Sequence, residues 1–224
     1  MPEQVSRGFP LFPLGIVALP GEHVPLHIFE DRYRRMIEQC LRGEPGSLQR
    51  EFGIVWLSDE ELKEVGCACE VERVIERMDD GRLNILARGT RPFRLLERQD
   101  ELPYPAGVVE FLEDMPDGPP ASPLIGGEDG EEEAASRARE LYGELVEHAT
   151  DRQLTAAELA EMSAYEMAAT VEFGTDAKQE LLELRSELER LRLLALLLRA
   201  ALDRLALIDR AQARAASNGK VRFG

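Results

Sequence analysis

Residues 9–37 read FPLFPLGIVALPGEHVPLHIFEDRYRRMI, and their reading decides the fold. Four prolines and one Pro-Gly turn punctuate an otherwise apolar run, which excludes a helix because each interior proline removes a backbone donor and clashes with the preceding turn. The same prolines disfavour a central strand with regular ladders on both sides, so parts of the segment are expected on a sheet edge. From Asp31 the periodicity changes. Tyr33, Met36, Ile37, Cys40 and Leu41 recur at spacings of three and four, an apolar helical stripe with Gly43 as its expected stop.

Working outward, the chain up to about residue 113 carries short apolar runs and alternations of strand type: Phe52 to Leu57, Cys67 to Ile75, Leu83 to Ala87, Phe93 to Leu96 and Ala106 to Leu112. Asp79-Asp80-Gly81 lies between two of them, and Asp-Gly is a hairpin signal because glycine accepts positive φ. Residues 115–130 (MPDGPPASPLIGGEDG) contain four prolines and four glycines, a density expected of a linker or long surface loop. Beyond them the pattern is helical. A helix is predicted over 134–149. A second opens on the capping box Thr155 and Glu158 and runs to about Phe173, with Gly174 ending it. Asp176 with Gln179 and Ser186 with Glu189 repeat the start signal, which predicts a short helix followed by a long one. Leu184, Leu188, Leu191, Ala195, Leu198, Leu202 and Leu205 form a seam on these last helices, widened by Leu194, Leu197, Ala201 and Ile208. Such a seam serves an intramolecular bundle or a dimerising coiled coil.

The composition excludes several classes. With 43 acidic and 27 basic residues among 224, the net charge is −16, and a field of that sign repels nucleic-acid backbones and anionic membranes. Ten acids and no Lys or Arg fall between Glu101 and Ala135, so much of the acidity sits in one connecting region. Three cysteines, no leader-like N-terminus and no apolar run of spanning length point to a cytoplasmic protein with reduced thiols. There is no phosphate-binding loop, no nucleophile in a strained turn, and no zinc-type spacing among Cys40, Cys67, Cys69, His23, His27 and His148. No catalytic residue, metal or cofactor is therefore expected.

An ordered set of motifs resembles the N-terminal domain of the Lon ATP-dependent proteases. Leu11-Phe12-Pro13-Leu14, Pro20-Gly21, Pro25-Leu26-His27-Ile28-Phe29-Glu30 and Arg32-Tyr33 carry it first. Phe52-Gly53-Ile54-Val55, Val65 to Val71, Asp80-Gly81-Arg82 and Arg88 to Leu95 follow in order, and Lys178 to Glu183 matches more loosely. The resemblance implies an α+β fold: an N-terminal PUA-like β pseudobarrel with one or two helices, followed by a C-terminal helical bundle with a long last helix. The corresponding divisions are a β-rich domain over 1–114, an acidic linker over 115–133, a helical bundle over 134–216 and a tail over 217–224. It also implies recognition of unfolded or extended polypeptide segments, or of a partner protein, by a stand-alone, non-enzymatic module without ATPase or peptidase activity. Gly89 is expected at a tight backbone position. Phe12, Leu19, Pro20, His27, Phe29, Tyr33, Arg91 and Phe93 are the candidate contact residues, and the chain is expected as a monomer or a weak dimer through its C-terminal helix.

Two other functions compete. PUA-like folds also bind RNA, for which Arg32, Arg34, Arg35, Arg42, Arg88, Arg91, Arg94 and Arg98 would be the footprint. A small hydrolase built on His27 and Cys67 is the other.

Overall fold

The computed structural model describes residues 5–59, 61–115 and 130–218. The expected linker therefore falls largely outside the described residues. Among the described residues seven strands and six α-helices follow in order: β1 (Val5–Leu14), β2 (His23–Ile28), α1 (Asp31–Cys40), β3 (Glu51–Ser58), β4 (Glu61–Leu62), β5 (Val65–Arg77), β6 (Leu83–Gln99), β7 (Ala106–Phe111), α2 (Glu131–Thr150), α3 (Ala156–Ala160), α4 (Ala164–Ala168), α5 (Thr175–Glu183) and α6 (Glu187–Asn218). A strand-rich N-terminal sheet followed by a helical region with a long last helix is the expected α+β class. Contacts divide the chain into two compact units, residues 1–118 with 165–187, and residues 119–164 with 188–224.

In the first unit the sheet runs β1-β7-β6-β5-β3, and β1 returns to pair with β3, which closes a barrel of five strands. β2 and β4 hang on it as edges, against β6 and β3 respectively. β1 corrects the edge expectation in part: Val5 to Pro10 runs antiparallel to β7, and Leu11 to Leu14 runs parallel to β3. Each half is laddered on one side only, which is how the strand tolerates Pro10 and Pro13. Pro25 sits in β2, a true edge strand paired with β6 alone. The two runs predicted over 83–96 are one strand, β6, whose first half pairs with β2 and β5 and whose second half pairs with β5 and β7. Register shifts between Ala68 and Cys69, Val71 and Arg73, and Leu95 and Glu97 bend these long strands around the barrel. The β5–β6 hairpin turns at Gly81 with φ +84°, as the Asp-Gly signal requires.

Alternation along β1 sends Phe9 and Leu11 into the barrel with Val55, Ala68, Phe93, Val109 and Phe111. Phe93 stands edge-on to Phe9 at 5.5 Å, over two glycines whose added methyls would lie 2.5 and 2.7 Å from its ring, Gly53 and Gly66. Phe12 faces the other way and meets Tyr33 of α1 at 4.2 Å, so α1 covers one side of the barrel with Tyr33, Met36, Ile37 and Cys40. Gly89 is confirmed as a close-approach position. A Cβ there would lie 2.1 Å from the Leu19 carbonyl oxygen, and its backbone exchanges 2.9 Å hydrogen bonds with Gly21 and Glu22.

Helix α5 belongs to this unit. Its buried Lys178 reaches Glu22 at 2.5 Å, and Gln179 donates to the Val65 carbonyl at 3.1 Å. The helix starts at Thr175 after Gly174, whose φ is +85°, so Asp176 lies inside the first turn rather than capping it. The helix predicted from Thr155 to Phe173 is two short ones. The Thr155/Glu158 capping box is present, but bonds of i→i−3 type at Met162 and Thr170 tighten the ends of α3 and α4.

In the second unit α2 buries Ala134, Ala138, Leu141, Tyr142 and Leu145, while α6 buries Leu191, Leu194, Ala195, Leu198 and Leu202. The seam fades beyond Leu202, with Leu207 and Ile208 exposed. His148 near the end of α2 lies 3.3 Å from Asp209 of α6.

Candidate functional site

A cleft of about 460 Å³ lies on the first unit. It gathers the end of β1, the β2–α1 junction, the β3–β4 hairpin and the segment after β6. Its floor is Phe12 and Tyr33, whose rings are inclined by 31°. Phe29 lines the cleft and is 61% exposed, the most exposed aromatic ring of the described chain; Leu57, from the β3–β4 hairpin, also lines it and is 42% exposed. Glu30, Arg32, Arg98 and Asp100 line it as well, so two charges of each sign surround the apolar surface.

Local chemistry holds Phe29 outward. Ile28 is the last buried residue of β2, and alternation turns its neighbours His27 and Phe29 to the opposite side. The two rings stack at 5.9 Å with 23° between their planes. His27 Nδ1 is 2.7 Å from Asn84 Oδ1; an amide oxygen only accepts, so the imidazole donates from Nδ1. Asn84 in turn donates to Glu76. Arg32 lies over the Tyr33 ring at 4.6 Å and pairs with Glu30 at 2.8 Å. Burial pushes the Tyr33 phenol above its ordinary value, which keeps it neutral near pH 7.

The eight candidates separate into two groups. Phe12, His27, Phe29 and Tyr33 come together on the cleft. Leu19 and Phe93 are fully buried, so their surface is spent inside the fold, and Pro20 sits half-buried in the turn before β2. Arg91 is held by Glu51 at 2.7 Å, with Thr90 donating to the same carboxylate, and it covers the Phe111 ring at 3.9 Å. Leu57, Leu62 and Asp100 were not anticipated, and Arg98 was expected only as part of an RNA footprint. Their contribution depends on strands distant in sequence converging, and no local motif signals it.

The groups suspected of chemistry are occupied otherwise. All three cysteines are buried. Burial raises the Cys40 thiol to about 12 and holds the Cys67 thiol well above its usual range, so neither supplies a thiolate at neutral pH. His23 pairs with Glu72 at 2.8 Å on the surface. Among the described residues, no group of three His, Cys, Asp or Glu is placed to hold a metal ion, and no helix is long and apolar enough to cross a membrane.

Known proteins share this architecture. A Lon N-terminal domain protein from Xanthomonas campestris superposes with a TM-score of 0.56 at 24% identity, covering 83% of this chain and 95% of that one. The N-terminal domain of a Mycobacterium avium complex Lon protease gives 0.62 at 19% identity, covering 86% and 98%. At those identities the likeness is one of fold. The Lon protease of Parabacteroides distasonis is 30% identical over 116 residues, half of this chain and 14% of that protein. The sequence profile of the ATP-dependent protease La (LON) substrate-binding domain matches residues 8–200. A match of that length makes the chain a member of the LON substrate-binding domain family.

Proposed function

We propose that the chain binds extended or unfolded polypeptide segments in the cleft between Phe29 and Leu57, as a non-enzymatic recognition module that uses no cofactor. The observation that carries this reading is the exposure of Phe29 and Leu57 in the lining of one cleft that also takes in the buried rings of Phe12 and Tyr33. An aromatic ring left largely in water beside other apolar surface is unfavourable unless a partner covers it. The mixed charge of the rim favours no single sign of ligand, as suits a binder of varied sequences. In this reading the protein works in the cytosol, where free thiols persist. The RNA alternative loses support from the pairing of three of its eight arginines, Arg32 with Glu30, Arg34 with Asp31 and Arg91 with Glu51, and from the net charge of −16.

Fluorescence anisotropy with labelled, unstructured peptides tests the proposal. Small apolar clefts of this kind bind in the micromolar to millimolar range. Phe29→Ala and Leu57→Ser are each expected to weaken binding about tenfold, or about 1.4 kcal/mol, without lowering stability. Binding unchanged in both variants would overturn the assignment of the cleft. No binding of any peptide up to millimolar concentration would overturn polypeptide recognition itself.

A further inference from the structure

A second cleft of about 430 Å³ lies elsewhere on the first unit, between the start of β1 and the turn that follows α1. Its polar lining is Ser6, Arg7, Gln39, Arg42 and Gln49. None of its lining residues is a carboxylate, in a chain where acids outnumber bases 43 to 27. The contrast with the other clefts is direct: the Phe29 cleft contains Glu30 and Asp100, and the groove beside His23 contains Glu22, Glu72 and Glu166. Some arginines of this unit are neutralised locally, as Arg50 is by Glu70 and Arg82 by Asp80, whereas Arg35, Arg88 and Arg94, like Arg7 and Arg42, form no ion pair with a carboxylate among the described residues; what sets Arg7 and Arg42 apart is that they line one cleft. Arg7 and Arg42 are both exposed and have no carboxylate partner among the described residues.

We infer that this cleft is a binding site for a small oxyanion, a phosphoryl or carboxylate group held between Arg7 and Arg42. Arginine presents planar, permanently charged donors that match both groups, and the hydroxyl of Ser6 and the amides of Gln39 and Gln49 supply neutral donors beside them. The amides of Leu41, Arg42 and Gly43 are spent on the carbonyls of Ile37, Gln39 and Cys40 at the negative end of α1, so the two guanidinium groups, and not backbone donors, must hold the anion. The Gly8 amide is likewise spent, donated at 2.8 Å to Gln99. The net charge of −16 selects against polyanions, whose length would carry them over acidic surface, and in favour of a compact ligand.

The test is a titration of the full chain with inorganic phosphate and, separately, with succinate, followed by two-dimensional amide NMR at constant ionic strength. Saturable shifts confined to Gly8, Gly43 and Gln49, with a dissociation constant of about 10 mM or tighter, are expected with at least one probe. The stronger probe distinguishes phosphoryl from carboxylate ligands. The double variant Arg7→Gln/Arg42→Gln is expected to weaken binding at least about tenfold while preserving the remaining spectrum. Linear shifts spread over the surface, or equal affinity in the double variant, would overturn the site.

Discussion

Gly89→Ala should uncouple β6 from the turn that leads into β2, and its cost follows from the geometry. The new methyl would sit 2.1 Å from the Leu19 carbonyl oxygen, whereas ordinary contact begins at 3.4 Å. The two backbone segments must therefore separate by about 1.3 Å. That separation breaks the Gly21-to-Gly89 and Gly89-to-Glu22 hydrogen bonds, each 2.9 Å long. Overpacking costs about 1–3 kcal/mol and each of the two lost bonds about 0.5–1.5 kcal/mol, for a destabilisation of about 2–6 kcal/mol. Urea unfolding followed by the fluorescence of Trp56, the single tryptophan, reads the barrel directly because that residue lies in β3. The midpoint should fall by about 1 M or more. Gly15→Ala is the control: Gly15 is exposed, nothing lies within 4 Å of its added Cβ, and its stability should stay within about 0.5 kcal/mol of the parent. Coincident midpoints for the two variants would refute the close approach at Gly89.

Lys178→Met leaves the Glu22 carboxylate nearly buried without its cation, and such half-removed pairs cost about 3–5 kcal/mol; adding Glu22→Gln should restore part of it in the same urea assay. The glutamine amide oxygen can still accept from the Leu19 amide, as the Glu22 carboxylate does, so the restoration stays partial only because the Lys178 ion pair is gone. At pH 8, thiol titration of the native protein should label none of the three cysteines within minutes, and all three in denaturant, since burial keeps Cys40 and Cys67 protonated. Bonds from the Thr155 backbone and hydroxyl, with Arg152 nearby, hold the Glu158 carboxyl below its ordinary value. A depressed carboxylate stabilises the fold above its unfolded value, and that contribution disappears as pH falls through the lower, folded one. Thr155→Ala should accordingly move the Glu158 carboxyl upward, a change that carbon-detected NMR titration reports.

Much was settled by the chain's own chemistry. The helix at Asp31, the Asp-Gly hairpin at Gly81, the Thr155 capping box and the division of the last helices need only near neighbours, and residues 9–37 carried the family in their order of motifs. Closure of the barrel was not local. β1 changes partner midway, from β7 to β3, so its prolines read as edge signals although both halves are paired. The same holds for the cleft. Phe29 and His27 could be nominated from PLHIFE, yet Phe93 and Arg91, from an equally suggestive motif, fill the barrel and bind Glu51. Alternation assigns side chains to two faces of a strand without saying which face the barrel encloses. That choice is made by closure of the ring and the placement of α1 over Phe12, because both sum contacts between residues far apart in sequence.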